Sequence, residues 1–409
     1  MRSTKYHLFL LCALVIPQGL TLTLPPSTFS SFRSKTHLKS STSLSPSSTR
    51  CIVDYHASRR KIHQSLSTPS SRKCLAELHK QNSLIPGSLA LFVCTTTLLS
   101  IASLSSLPLK ITLSLTLGGV ASVWQLQVLH DCLHSTFSNS KSLNKNVLFY
   151  CSIFSFVGYY TYLRFGHLGH HQHVGSKIIG LREVFDSPED TLLDADILFA
   201  RHRQFIGGEE GPVWRGEVWS VSAYFRGMWG DTVLMNMAIY CVGFCLERLM
   251  LGLNDVVTVF LGRDVFFPNK EKGFHTERWK HATIALIFKV LAVKLWGCSS
   301  IISLFISEIS WTLPFHPLAA VLYSNHGGKI RSNGECEPTG SCYFGRWYDW
   351  LSLNTNLHRE HHDYVGVPFH LLGRVPGSRE DFNDDWWWKV NWKSFKRERW
   401  YACNEFIGE

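Results

Sequence analysis

The chain has 409 residues, 45% of them hydrophobic and 18% charged, with a formal net charge of +10. Its positive charge lies largely in the N-terminal segment and in KVNWKSFKRERW near the C-terminus, which suits anionic headgroups or an acidic redox partner and argues against nucleic acid. The 12 cysteines include no C-x-x-C pair, so neither a zinc ribbon nor a thioredoxin-type site is indicated.

No Asp or Glu precedes Asp54, and Leu8–Ile16 is a short apolar run behind a basic start, the pattern of a signal sequence. PPSTFSSFRSKTHLKSSTSLSPSS follows, with the Ser- and Thr-rich composition of a transit peptide. Together they read as the two-part address of a plastid with extra membranes, or as the N-terminus of an endoplasmic-reticulum protein. Residues 1–50 are therefore set apart as a targeting segment. A membrane domain is expected over 51–375 and an interfacial tail rich in Trp, Lys and Arg over 376–409.

Two long charge-free runs come next, Leu84–Leu109 and Ile111–His130. A run of about 20 apolar residues is what a bilayer-crossing helix needs. The stretch Asn146–Leu163 is uncharged but aromatic, and reads as an interfacial or re-entrant segment. A second out-and-back pair is expected at about 232–253 and 282–307. The prediction is an all-α integral membrane protein of about four transmembrane helices. The basic residues before the first span place the N-terminal side inside.

Histidines mark the ends of these runs. HDCLH places His130 and His134 four apart. HLGHH gives His167, His170 and His171, and LHREHH gives His358, His361 and His362, each set on one helical face. Four spans would bring all three boxes to one membrane face. The later uncharged run Ile309–Gly328 adds His326, beside Asn325 at its end, as a further ligand. His316, before Pro317, reads as structural. Imidazole suits iron, copper, nickel and zinc, and eight imidazoles exceed one four-coordinate zinc site. Two ions are the natural count, with zinc hydrolysis or transport as the rival chemistry. Cys336 and Cys342 flank a short loop and would bridge only in an oxidising compartment.

HDCLH, HLGHH and LHREHH resemble the boxes of the membrane fatty acid desaturase and hydroxylase superfamily, over about residues 54–373. YHASRRKI (55–62), NLHREHHDYVGVP, and FHP followed by Asn325 and His326 are similar to stretches of sphingolipid (dihydroceramide) Δ4-desaturases. The resemblance implies two iron ions held by His130, His134, His167, His170, His171, His326, His358, His361 and His362 on the cytosolic or stromal face. It also implies O2 as co-substrate and a ceramide or acyl-lipid substrate. No flavin, haem or iron–sulfur motif occurs, so electrons are expected from cytochrome b5 or ferredoxin. Asp131 and Asp363, next to ligand histidines, are expected to fix imidazole tautomers or else to face solvent. The segment 176–231 and the loop GKIRSNGECEPTGSC depart from the pattern. His358 and the lack of an HPGG motif separate the chain from front-end desaturases. A plastid acyl-lipid desaturase, a carotenoid hydroxylase or ketolase, and a non-enzymatic metal-binding membrane protein stay open as alternatives.

Overall fold

A computed structural model describes residues 68–167, 171, 232–264, 271–325, 329–330, 336–337, 340–378 and 386–395. The targeting segment, YHASRRKI, His170, His326 and the segment 176–231 lie outside the described residues. Helix α1 (Pro69–Leu78) begins where Thr68 Oγ1 accepts from the Ser71 N–H at 3.1 Å, with Pro69 in the first turn, where its missing N–H costs nothing. Next come α2 (Leu84–Ser103) and α3 (Leu107–Leu133), the latter with one π-helical turn at Ser114–Gly118. The first run was expected to stay helical to Leu109. It stops at Ser103, because Pro108 fits only the first turn of a helix.

Gly87, near the start of α2, lies against Phe137 and Val128, near the end of α3, so the two helices are antiparallel. A Cβ there would sit 2.9 Å from the Phe137 ring. Beyond α3 the chain forms α4 (Lys141–Cys151), a 3-10 turn at Ser152–Phe154 and a π-helical turn at Tyr162–His167. Asn146–Leu163 is thus no continuous helix. Its break is fixed by Gly158 at φ +77°, where a Cβ would run into the Ser152 carbonyl.

Helix α5 (Val233–Leu261) is capped by Thr232, whose Oγ1 accepts from Met235 N–H at 3.2 Å, and ends at Gly262 in the left-handed region. Helices α6 (Lys272–Trp296) and α7 (Ser299–Ser310) follow. The fourth span expected at 282–307 is therefore not one helix. It is divided at Gly297, whose φ of +81° suits glycine alone without strain. Three described helices, α2, α3 and α5, are long and apolar enough to cross a membrane. Their outer faces carry Ile85 at 82% and Phe260 at 80% exposure, which suits hydrocarbon rather than water. The chain is an integral membrane protein, its described residues helical apart from turns and one two-residue antiparallel β pair, β1 (Lys329–Ile330) and β2 (Cys336–Glu337).

Small residues bring α7 against α3: Gly118 faces Ser307, and Gly119 faces Ser310 and His316. A buried ion network ties α5 to α6. Arg278 donates to Asp255 and, at 2.8 Å, to Asp264, while Lys289 reaches Asp255 at 3.2 Å. Helices α8 (Ala319–Asn325), α9 (Arg346–Ser352), α10 (His358–Asp363) and α11 (Trp387–Ser394) complete the described elements. Helix α11 is docked on the domain: Asn391 Nδ2 donates to the Pro314 and His316 carbonyls, while Trp386 and Trp388 stay exposed.

Candidate metal centre

Three local features aim the histidines. His130 lies in the last turn of α3, and His134 is its C-terminal cap, after which Ser135 turns the chain at φ +61°. His167 closes the π-helical turn. The third box starts α10, held by a polar knot. Asn356 donates to Cys342 O at 2.8 Å and Asp349 Oδ1 at 2.9 Å, and accepts from Ser352 Oγ at 2.7 Å. Ser341 Oγ accepts from the Arg359 N–H and donates to Glu360, fixing the first turn of α10.

These elements bring His130, His134, His167, His171 and His361 together, with one nitrogen of each within 4.8 Å of all the others. His130 and His167 have Nε2 atoms 2.8 Å apart, His167 and His171 2.9 Å, and His171 and His361 3.0 Å. A second group adjoins the first: His362 Nε2 is 2.9 Å from His358 Nε2, and its ring centroid is 4.2 Å from that of His171. His316 lies apart from the cluster; its Nδ1 accepts from the Leu318 N–H at 3.1 Å.

Burial holds the His134 imidazole down at about 4. It also holds His361 well below its usual value, and the neighbouring imidazoles push in the same direction. Both rings are neutral at pH 7, the form that binds a metal. His134 as a residue is half-buried, but its Nε2 is shut off from solvent and has no hydrogen-bond partner among the described residues. An orphaned buried nitrogen of this kind costs about 1–3 kcal/mol, which a cation would recover. Two nitrogens bound at right angles to one ion, each at about 2.1 Å, lie about 3 Å apart. The Nε2 spacings match that. The residues present fit a metal held by nitrogen ligands, and the adjoining His358 and His362 start a second such set.

Asp131 does something other than expected. Its buried carboxylate accepts from Ser83 Oγ at 2.6 Å and from the Phe369 N–H at 3.3 Å, not from an imidazole. It ties the start of α2 to the segment after the third box, because the side chain points away from the face that carries His130 and His134. Asp363 is half-buried at the end of α10. Cys342 is a buried free thiol, pushed up to about 12 by burial, and the Cys336 side chain lies outside those described.

Beside the imidazoles opens a pocket of about 850 Å³, its mouth included. His130, His167, His358 and His361 line it together with Leu126, Leu163, Tyr240, Phe244, Trp311 and Leu322. Arg248 also lines it, a residue that sequence reasoning did not single out. The signal was present: an arginine midway along a mostly apolar membrane helix is a functional candidate by default.

Comparison with known families matches residues 106–385 to the family described as fatty acid desaturase. No curated protein and no solved structure matches the chain.

Proposed function

The chain belongs to the fatty acid desaturase family, and from that membership and the imidazole cage we propose an O2-dependent membrane lipid desaturase with two irons. Family membership makes it an oxidoreductase acting in a membrane setting. The observation that carries the metal assignment is the gathering of five imidazoles from three separate chain segments around one point. His130, His134, His167, His171 and His361 would hold one iron. His358 and His362 would begin the second set, and the resemblance adds His170 and His326 to the ligands without assigning them to either ion. Bound iron supplies the oxidant that O2 and two external electrons generate, strong enough to take hydrogen from an unactivated methylene.

The chain's own part is to hold the imidazoles neutral and to place the substrate. Leu126, Leu163, Phe244 and Leu322 offer an apolar wall to an acyl chain and keep bulk water from the reacting carbon. NLHREHHDYVGVP and YHASRRKI support a sphingolipid substrate, desaturated at Δ4 of a ceramide. The N-terminal composition instead favours a plastid enzyme acting on acyl lipids or carotenoids, with ferredoxin rather than cytochrome b5 as donor. Expression in yeast lacking sphingoid desaturation, followed by mass spectrometry of ceramides, fatty acids and supplied carotenoids, separates these substrates. Metal analysis decides the class. About two irons per chain is the expected result, and stoichiometric zinc without O2 consumption would mark a metal-binding protein instead.

A further inference from the structure

An arginine on a cavity wall must either satisfy its donors or be waiting for something that does. Arg248 is 7% exposed, and none of its N–H groups donates a hydrogen bond among the described residues. Its charge partner is Glu308 on α7, with Nη1 3.6 Å from Oε1, beyond hydrogen-bond reach. Glu308 cannot turn to close that gap. Its other oxygen is occupied by the Val157 and Gly158 N–H groups at 2.9 and 3.1 Å, which pins the carboxylate to the Gly158 turn. The guanidinium carbon lies 4.9 Å from the centroid of the Phe244 ring, a cation–π contact that helps to hold it in place.

The pair is neutral as a unit, so a carboxylate or phosphate arriving there would leave a net charge in an apolar cavity, at high cost. A neutral oxygen would not. It would accept from the guanidinium and complete its hydrogen bonding while leaving the charge balance as it is. The pair is also tied to the cavity wall. The two N–H groups bound to Glu308 immediately precede Tyr159, whose hydroxyl meets Ser122 at 2.5 Å and accepts from Trp311 Nε1 at 3.2 Å. Tyr159 and Trp311 line the same pocket as Arg248, His130 and His361.

From this geometry we infer that Arg248, backed by Glu308, is a specificity-determining residue that hydrogen-bonds a neutral acceptor oxygen, a hydroxyl or a carbonyl, on the lipid that fills this cavity beside the imidazoles. The substrate class is thus an oxygenated lipid rather than a plain hydrocarbon chain. The inference rests on the reading of this cavity as the lipid site.

The test measures binding, so it does not depend on turnover. Full-length protein in detergent binds tritiated octadecane, and competitors are the unlabelled alkane and its monohydroxy and monoketo derivatives at successive carbons. At least one oxygenated isomer is expected to compete tenfold or more better than the parent. A gain for hydroxy isomers alone identifies a hydroxyl, and a gain for both series identifies any acceptor oxygen. The charge-balanced variant R248M/E308Q should lose the tenfold preference. If the parent alkane competes as well as every oxygenated isomer, or the preference survives in the variant, the inference is overturned while the cavity reading stands. If nothing binds saturably, both fall. The isomer series on wild-type protein decides the matter even if the variant fails to fold.

Discussion

Two buried polar clusters in this molecule differ in how their hydrogen bonds are met. The ion network joining α5 to α6 is nearly self-sufficient. Arg278 reaches two carboxylates, Lys289 shares one of them, and Asn254 donates to Asp264 at 3.0 Å. The imidazole cage is the reverse. Its nitrogens crowd one another at 2.8–3.0 Å, and His134 Nε2 has no partner among the described residues. Both clusters are costly to bury. The first recovers that cost inside the fold and needs nothing further, so its work is structural. The second leaves the buried His134 Nε2 without that recovery until a cation arrives. A polar cluster closed on itself holds a structure together; one whose nitrogens converge on a single point marks where it binds.

The sharpest way to break this comparison is to remove one member from each cluster. His361→Ala is expected to abolish product formation and lower the iron content of purified protein, while the chain still inserts in membranes at wild-type yield. Full activity in that variant would end the assignment. Arg278→Met should do the opposite. It leaves Asp264 without its charge partner, at a cost of about 3–5 kcal/mol in stability, seen as a lower denaturation midpoint. Iron per folded molecule should stay unchanged. If Arg278→Met removes iron without loss of stability, the division between structural and binding clusters is wrong.

Much of the cage could be read from spacing alone. Histidines at i, i+3 and i+4 share a helix face, and that periodicity survives into the structure at His130, His134, His358, His361 and His362. The apolar runs behind α2, α3 and α5 were equally plain, because hydropathy is a local property of sequence. What failed depended on contacts between distant segments. Asp131 adjoins His130 in sequence, yet its carboxylate points at Ser83 and Phe369, 48 and 238 residues away. The break at Gly297 was hidden because glycine is common in membrane helices and reveals a turn only through its backbone angles. Arg248 and Glu308 each interrupt an apolar stretch visibly, but nothing local says that they pair.

Packing between α3 and α7 gives a smaller effect. Gly119→Ala would push a methyl group toward Ser310 Oγ, 2.5 Å from the ideal Cβ position, and His316 Nε2 at 2.9 Å. Moving aside would break the bonds from Ser310 Oγ to the Ser114 and Ser307 carbonyls and the one that His316 Nδ1 accepts from the Leu318 N–H, so a loss of about 1–3 kcal/mol is expected. Equilibrium unfolding in mixed micelles measures it, and an unchanged midpoint would show that the two helices have room to separate.

Ser83→Ala should give the smallest change and the cleanest one. It removes the 2.6 Å hydrogen bond to the Asp131 carboxylate and leaves the bond from the Phe369 N–H in place. A buried acceptor that loses one of its donors costs about 1 kcal/mol. The loss should appear in stability alone, because Asp131 braces the start of α2 and the chain after the third box rather than an imidazole. Iron content and lipid product at wild-type levels are the expected outcome. A fall in iron affinity of 10–100-fold, the usual result of removing a group that orients a metal ligand, would return Asp131 to the metal site.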